Sequence, residues 1–171
     1  MRQPEYASSQ RDQDARSCTI RIKGVDVTEG EDLKEEVIRV AGQAQVTFQP
    51  EDIIDVFRSG NSNNEPEKRA IVTKLFHKGK KVALMRNKKK IPGGRIFVEE
   101  SLTRLRGKLF YAVRKDDTTL KSWTQEGKIY TKVKGANNTE VLKIITTPDD
   151  LTKIGWNEDR IATFWDTYKN E

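Results

Sequence analysis

A two-part α+β fold is predicted by three observations. Short stretches with the two-residue period of a half-buried strand alternate with stretches of helical period. Of the 171 residues, 35% are hydrophobic and 34% charged, which suits one or two small cores and excludes a long barrel or a large doubly wound enzyme. The single cysteine, Cys18, cannot form an internal disulfide, so packing must supply the stability.

The elements follow in order. Residues 1–16 are polar, contain Pro4 and lack an apolar period, so a disordered tail is expected. Cys18, Ile20 and Ile22 share one face of a strand stopped by Gly24. Thr28 and Glu31 have capping-box spacing, and Leu33, Val37, Val40, Ala41 and Ala44 form a helical stripe. Ile53 to Phe57 reads as a second strand, residues 59–66 as a loop, and Ala70 to Phe76 as a third, central strand. Lys78 to Lys90 is a helix turned toward the core by Val82, Leu84 and Met85. Pro92-Gly93-Gly94 breaks it, and Ile96 to Val98 is a fourth strand. The order β-α-β-β-α-β is that of a ferredoxin-like, or RRM-like (RNA-recognition-motif), domain over residues 17–99, in which helices cover one face of a four-stranded sheet.

Residues 100–156 form a second, smaller α/β unit. Ser101 or Thr103 caps a helix to Lys115, with Leu105, Leu109, Ala112 and Val113 inward and Phe110 and Tyr111 also read as core. Leu120–Thr124 and Lys128–Lys134 flank the turn Gln125-Glu-Gly127 as a β-hairpin, and Val141 to Ile145 is a third strand. Thr147-Pro148-Asp149-Asp150 starts another helix. Over residues 157–171, Asn157 caps a helix with Ile161, Phe164, Trp165 and Tyr168 on one face; it is too short to stand alone and needs a partner surface.

Charge is uneven along the chain. Residues 1–67 hold 8 basic and 14 acidic residues; residues 68–171 hold 24 and 12. Lys68 to Arg95 contains 11 basic residues and no acidic one, a field that attracts phosphate. The plain alternative is a solvated, lysine-rich face.

Enzyme constellations are scarce. The one histidine, His77, lacks a G-x-S-x-G context, and one His with one Cys supplies no zinc site. The acid pairs Glu99-Glu100, Asp116-Asp117 and Asp149-Asp150 leave a remote nuclease reading. No catalysis, cofactor or metal is expected. An RRM displays base-stacking aromatics on its two central strands. Here those strands offer Arg21, Lys23 and Lys74 instead, so a grip on the phosphate backbone with little sequence preference is expected. Aromatics reappear on the hairpin, where Trp123 and Tyr130 lie among Lys121, Lys128, Lys132 and Lys134; either they stack bases or they pack a small core. The candidate nucleic-acid contacts are Arg21, Lys23, Arg69, Lys74, Lys81, Arg86 and Arg95, then Arg104, Arg106, Trp123, Lys128 and Tyr130.

Several segments together resemble a known family. Arg16 to Gly24, Asp52 to Gly60, Lys68 to Val72, Ile96-Phe-Val-Glu-Glu-Ser-Leu-Thr103, Leu109 to Tyr111 and Ser122-Trp-Thr-Gln-Glu-Gly-Lys-Ile-Tyr130 look like the core of the first-open-reading-frame proteins of LINE-type retrotransposons, and like the domain named after the baculovirus FP protein. The resemblance spans roughly residues 16–152. It implies an RRM-like domain and a C-terminal domain that bind single-stranded RNA, in a trimeric RNA-packaging protein and nucleic-acid chaperone. The family's contacts match Arg69, Lys74, Arg104 or Arg106, and Trp123. The trimer-forming coiled coil of the family has no counterpart in these residues. The expected partner is single-stranded RNA or DNA in an intracellular ribonucleoprotein, with neither membrane nor small-molecule substrate. The competing expectation is a protein-interaction or viral-type scaffold module, in which the sheet face and terminal helix dock another chain.

Overall fold

The computed structural model describes residues 3–60 and 69–171, so most of the expected loop at 59–66 lies outside the described residues. The chain is mixed α and β with antiparallel sheets, and it divides into two compact units. Ala15–Ser101 form one. Residues up to Asp14 join Leu102–Glu171 in the other.

The expected tail is instead a helix, α1 (Gln3–Ala15). Its apolar content is too low to show a period. It is held by side-chain contacts to residues 90 or more positions away, which a reading of local pattern does not see. Gln13 Oε1 accepts from the Thr103 amide at 2.9 Å, and Ser9 Oγ lies 3.2 Å from Thr103 Oγ1. Tyr6 meets the Trp165 ring edge-on at 5.5 Å. The expected boundaries shift accordingly: the break falls at 101/102, and both α1 and the terminal helix belong with the second unit.

In the Ala15–Ser101 unit the elements are β1 (Thr19–Lys23), α2 (Leu33–Gln43), β2 (Ile53–Arg58), β3 (Ile71–Leu75), α3 (Lys78–Asn87) and β4 (Phe97–Glu100). The strand order is β2-β3-β1-β4, every neighbouring pair antiparallel. Asp32, rather than Thr28, caps α2, accepting from the Lys34 and Glu35 amides at 3.0 and 3.1 Å. Ile20, Ile22, Ile71, Leu75 and Val98 face Val37, Val40, Ala41 and Leu84 of the helices and close the core. Arg58 braces its edge. Its guanidinium pairs with Glu31 at 2.7 Å and donates to the carbonyls of Val25, Asp26 and Arg69. Gly24, at φ +85°, brings the chain against Arg95: an added Cβ would lie 2.0 Å from the Arg95 carbonyl oxygen.

The second unit contains α4 (Arg104–Lys115), β5 (Thr119–Gln125), β6 (Lys128–Lys134), β7 (Glu140–Ile145), a 3-10 segment Pro148–Ile154 and α5 (Glu158–Asn170). The antiparallel sheet runs β5-β6-β7. Gln125 pairs with Lys128, so the hairpin loop is Glu126-Gly127; positive φ at both (52° and 71°) matches the strands' twist. Leu105, Leu109 and Val113 of α4 pack with Ile129, Val133, Ile145, Leu151, Ile161 and Trp165. On α5, Ile161 and Trp165 are buried within its own unit, and Phe164 and Tyr168 are half-buried against the same core. Tyr111, expected inside, is 64% exposed, because the inward face of α4 is made by Leu105, Arg106, Leu109 and Val113. Asp116 anchors the far end of α4. It accepts from Trp156 Nε1 at 2.6 Å and Thr118 N at 3.0 Å, and pairs with Arg160 at 3.1 Å. Burial opposes its charge, but the bonds from Thr118 and Trp156 outweigh it and hold the carboxyl below the usual range.

Two outcomes are expected. Gly24→Ala combines a left-handed φ with a backbone clash, so urea unfolding followed by far-UV dichroism gives a loss of at least about 2 kcal/mol. The hydrogen bonds from Arg58 lower the Glu31 pKa, and burial opposes them without cancelling the effect. That contribution is complete above the ordinary glutamate value of about 4.3 and disappears as pH falls through the lower folded value. Unfolding free energy measured from pH 6 downward therefore falls less steeply in Glu31→Gln than in the parent chain.

Candidate nucleic-acid interface

Alternation along β6 sends Ile129, Thr131 and Val133 into the core of the second unit and Lys128, Tyr130, Lys132 and Lys134 to the other face. Register extends this outer face across the sheet. Trp123 stands opposite Tyr130, and Tyr130 opposite Ile144. The next row is Lys121, Lys132 and Leu142; beyond it Lys134 faces Glu140, and at the turn Gln125 faces Lys128. The Trp123 and Tyr130 rings lie 5.8 Å apart and 12° from parallel. Lys121 Nζ sits over the Trp123 ring at 5.7 Å. Both rings are half-buried and outside the core cluster, which decides between the two sequence readings: neither packs the core.

The outer face is therefore an apolar stripe, Trp123-Tyr130-Ile144, bordered by lysines. Among the described residues the acids near it are Glu140, which pairs with Lys132 at 2.9 Å, and Glu126 at the turn. Stacked rings present flat π-surfaces, and the lysines supply diffuse positive charge. Such a surface takes unpaired bases with their phosphates. Leu142 and Ile144, 50% and 39% exposed, belong to this face, while Ile145 on the same strand is buried. The signal was available: β7 alternates once its pairing with β6 is known.

In the other unit, β1 sends Ile20 and Ile22 to the helices and Arg21 and Lys23 to the open face. The register with β3 and β4 adds Lys74, Val72, Glu99 and Phe97, and β2 adds Asp55 and Phe57. Arg21 and Lys74 make no ion pair among the described residues, and Lys23 pairs with Glu99 at 2.8 Å. Arg69 is half-buried, donating from Nε to the Ser59 carbonyl at 3.1 Å. Arg86 lies exposed on α3, away from the open sheet face, and Arg95 is paired with Asp26. Arg104 stacks on Tyr168, 4.9 Å from the ring centroid, and donates to the Tyr168 carbonyl. Lys128 is exposed beside the hairpin turn.

Two sequence-predicted contacts are corrected. Lys81 is 4% exposed and pairs with Glu100 at 3.1 Å beneath the sheet. Arg106 is 2% exposed, donating to the Gly127 carbonyl and to Gln10 Oε1, the latter at 3.0 Å. Neither reaches a solvent-borne ligand, because each lies on the inward face of its helix. Each acid pair is likewise committed through at least one member. Glu99 and Glu100 hold Lys23 and Lys81, Asp116 holds Trp156, and Asp150 accepts from the Thr146 and Thr147 amides at 2.8 and 3.1 Å. Among the described residues no three His, Cys, Asp or Glu side chains gather to hold a metal ion, and no helix is long and apolar enough to cross a membrane.

No protein-family model matches the chain, and no curated protein matches it.

Buried and exposed cations separate by stability. Lys81→Met breaks a buried ion pair, and urea titration gives a loss of about 3–5 kcal/mol. Lys121→Met, on the outer face, changes the unfolding free energy by less than about 0.5 kcal/mol in the same experiment.

Proposed function

We propose that this chain is a non-enzymatic, single-stranded nucleic-acid-binding protein of retrotransposon type, acting on RNA with low sequence specificity as a packaging and chaperone protein. One observation carries the reading: the parallel Trp123 and Tyr130 rings on a sheet face turned away from the core, bordered by Lys121, Lys128, Lys132 and Lys134. A protein that merely needed solubility has no reason to leave two stacked rings at its surface, since rings of this size stabilise a core when buried.

The first unit is read as a ferredoxin-like, RRM-like domain. Its element order β-α-β-β-α-β, its strand order β2-β3-β1-β4 and its single helix-covered face support that assignment. The motifs that resemble the LINE and baculovirus FP domains fall at structurally demanding places. Ile96–Thr103 supplies β4, the buried Glu100 and the α4 cap Thr103; Ser122–Tyr130 supplies the hairpin and both rings. Binding is read as phosphate contact by lysine and arginine, with bases stacked on a few rings.

Fluorescence titration with single-stranded RNA tests this. With one phosphate neutralised by each of Lys121, Lys128 and Lys134, and Lys132 held by Glu140, the logarithm of the affinity falls against the logarithm of salt concentration with a slope of about −2. Trp123→Ala weakens binding of unrelated sequences alike, by about 1–3 kcal/mol. A flat salt response from the intact chain rejects the reading.

A further inference from the structure

The open face of the sheet in Ala15–Ser101 carries two exposed rings, and they lie on its edge strands rather than its central ones. One cross-strand row runs Phe57, Val72, Arg21, Glu99 through β2, β3, β1 and β4. On one side of it lie Asp55, Lys74 and Thr19; on the other, Lys23 and Phe97. Phe57 and Phe97 are 50% and 57% exposed. Three strand spacings of about 4.8 Å put the two edge strands about 14 Å apart.

What lies between the rings decides the occupant. Val72 is 8% exposed, and the other side chains there are Arg21, Thr19, Lys74 with Asp55 opposite it in register, and the Lys23–Glu99 pair, so cations outnumber carboxylates three to two. This is not a continuous apolar patch. A protein surface seated across it would strip water from Arg21 and Lys74, which have no ion-pair partner among the described residues. A single nucleic-acid strand avoids that cost. Its bases cover separate rings, while its phosphates stay hydrated and meet the two cations.

We propose that this face is a second base-stacking platform for single-stranded nucleic acid, with one base on Phe57, another on Phe97, and Arg21 and Lys74 serving the phosphates; it rests on the reading of the chain as a nucleic-acid-binding protein. The platform replaces the central-strand aromatics of an RRM with rings at the two edges. It adds base stacking to a face whose central strands offer only backbone contacts.

The test titrates the intact chain with oligouridine and with an abasic oligomer of equal phosphate count. The double variant Phe57→Ala/Phe97→Ala is expected to bind oligouridine about tenfold or more weakly, with abasic binding unchanged. Phe57→Leu/Phe97→Leu keeps apolar bulk, guards against loss of folding, and is expected to lose affinity in the same way; Phe57→Tyr/Phe97→Tyr retains it. Equal oligouridine affinity in the parent and in the Leu variant overturns the platform and leaves the general reading standing. A parent chain that binds neither oligomer overturns both. Reduced self-association of the Ala variant with unchanged oligouridine affinity assigns the rings to a contact between copies and overturns the platform.

Discussion

Among the described residues, each sheet packs its helices against one face, and a strand's two-residue period does the rest. Once Ile20 and Ile22 must meet α2 and α3, Arg21 and Lys23 have nowhere to point but outward; once Ile129 and Val133 must meet α4, Tyr130 and Lys132 follow. The cores are small, so a slip by one residue in either sheet would expose its aliphatic set and bury lysines. Core and candidate interface are therefore two readings of one register. The loop Glu126-Gly127, with positive φ at both residues, holds that register on the hairpin.

The same geometry sorts the charges. A count of basic residues treats Lys81, Lys74 and Arg106 alike. In the fold, Lys74 is free at the sheet surface, Lys81 neutralises Glu100 in a place nearly without water, and Arg106 is an internal strut between α4, the hairpin turn and α1. A buried cation contributes little to an external field, because its partner cancels it at short range and its hydrogen bonds are spent inside. The field outside the protein comes from those cations on the outer faces that no carboxylate holds in an ion pair.

Much of the element pattern was legible in the sequence, because strand alternation at Ile20-Ile22 and the helical stripe Leu105-Leu109-Val113 are local signals. The Thr103 cap and the Glu126-Gly127 turn were legible for the same reason. What local signals missed depends on distant partners. α1 shows no apolar period because Gln13, Ser9 and Gln10 hold it by hydrogen bonds to residues far along the chain. Lys81 and Arg106 looked like surface cations because their inward direction is set by tertiary packing. Phe57 and Phe97 escaped notice because edge-strand rings gain meaning only when the sheet order is known. The hairpin pattern placed Trp123 and Tyr130 on facing strands, but the choice between core and surface needed the face assignment of β6.

Because α1 belongs with residues that follow the Ala15–Ser101 unit, that unit is an insertion into its neighbour. This has a consequence for folding on the ribosome. The chain emerges from its N-terminus at about 5–20 residues per second, so α1 leaves the exit tunnel well before Thr103, Arg106 and Trp165 exist. A helix of 13 residues with no apolar face is marginal in water on its own. The inserted unit can complete its core before Trp165 is made, since its last strand ends at Glu100. The contacts that seat α1 can form only once Thr103 and Trp165 have been made, so they join residues far apart in the order of synthesis.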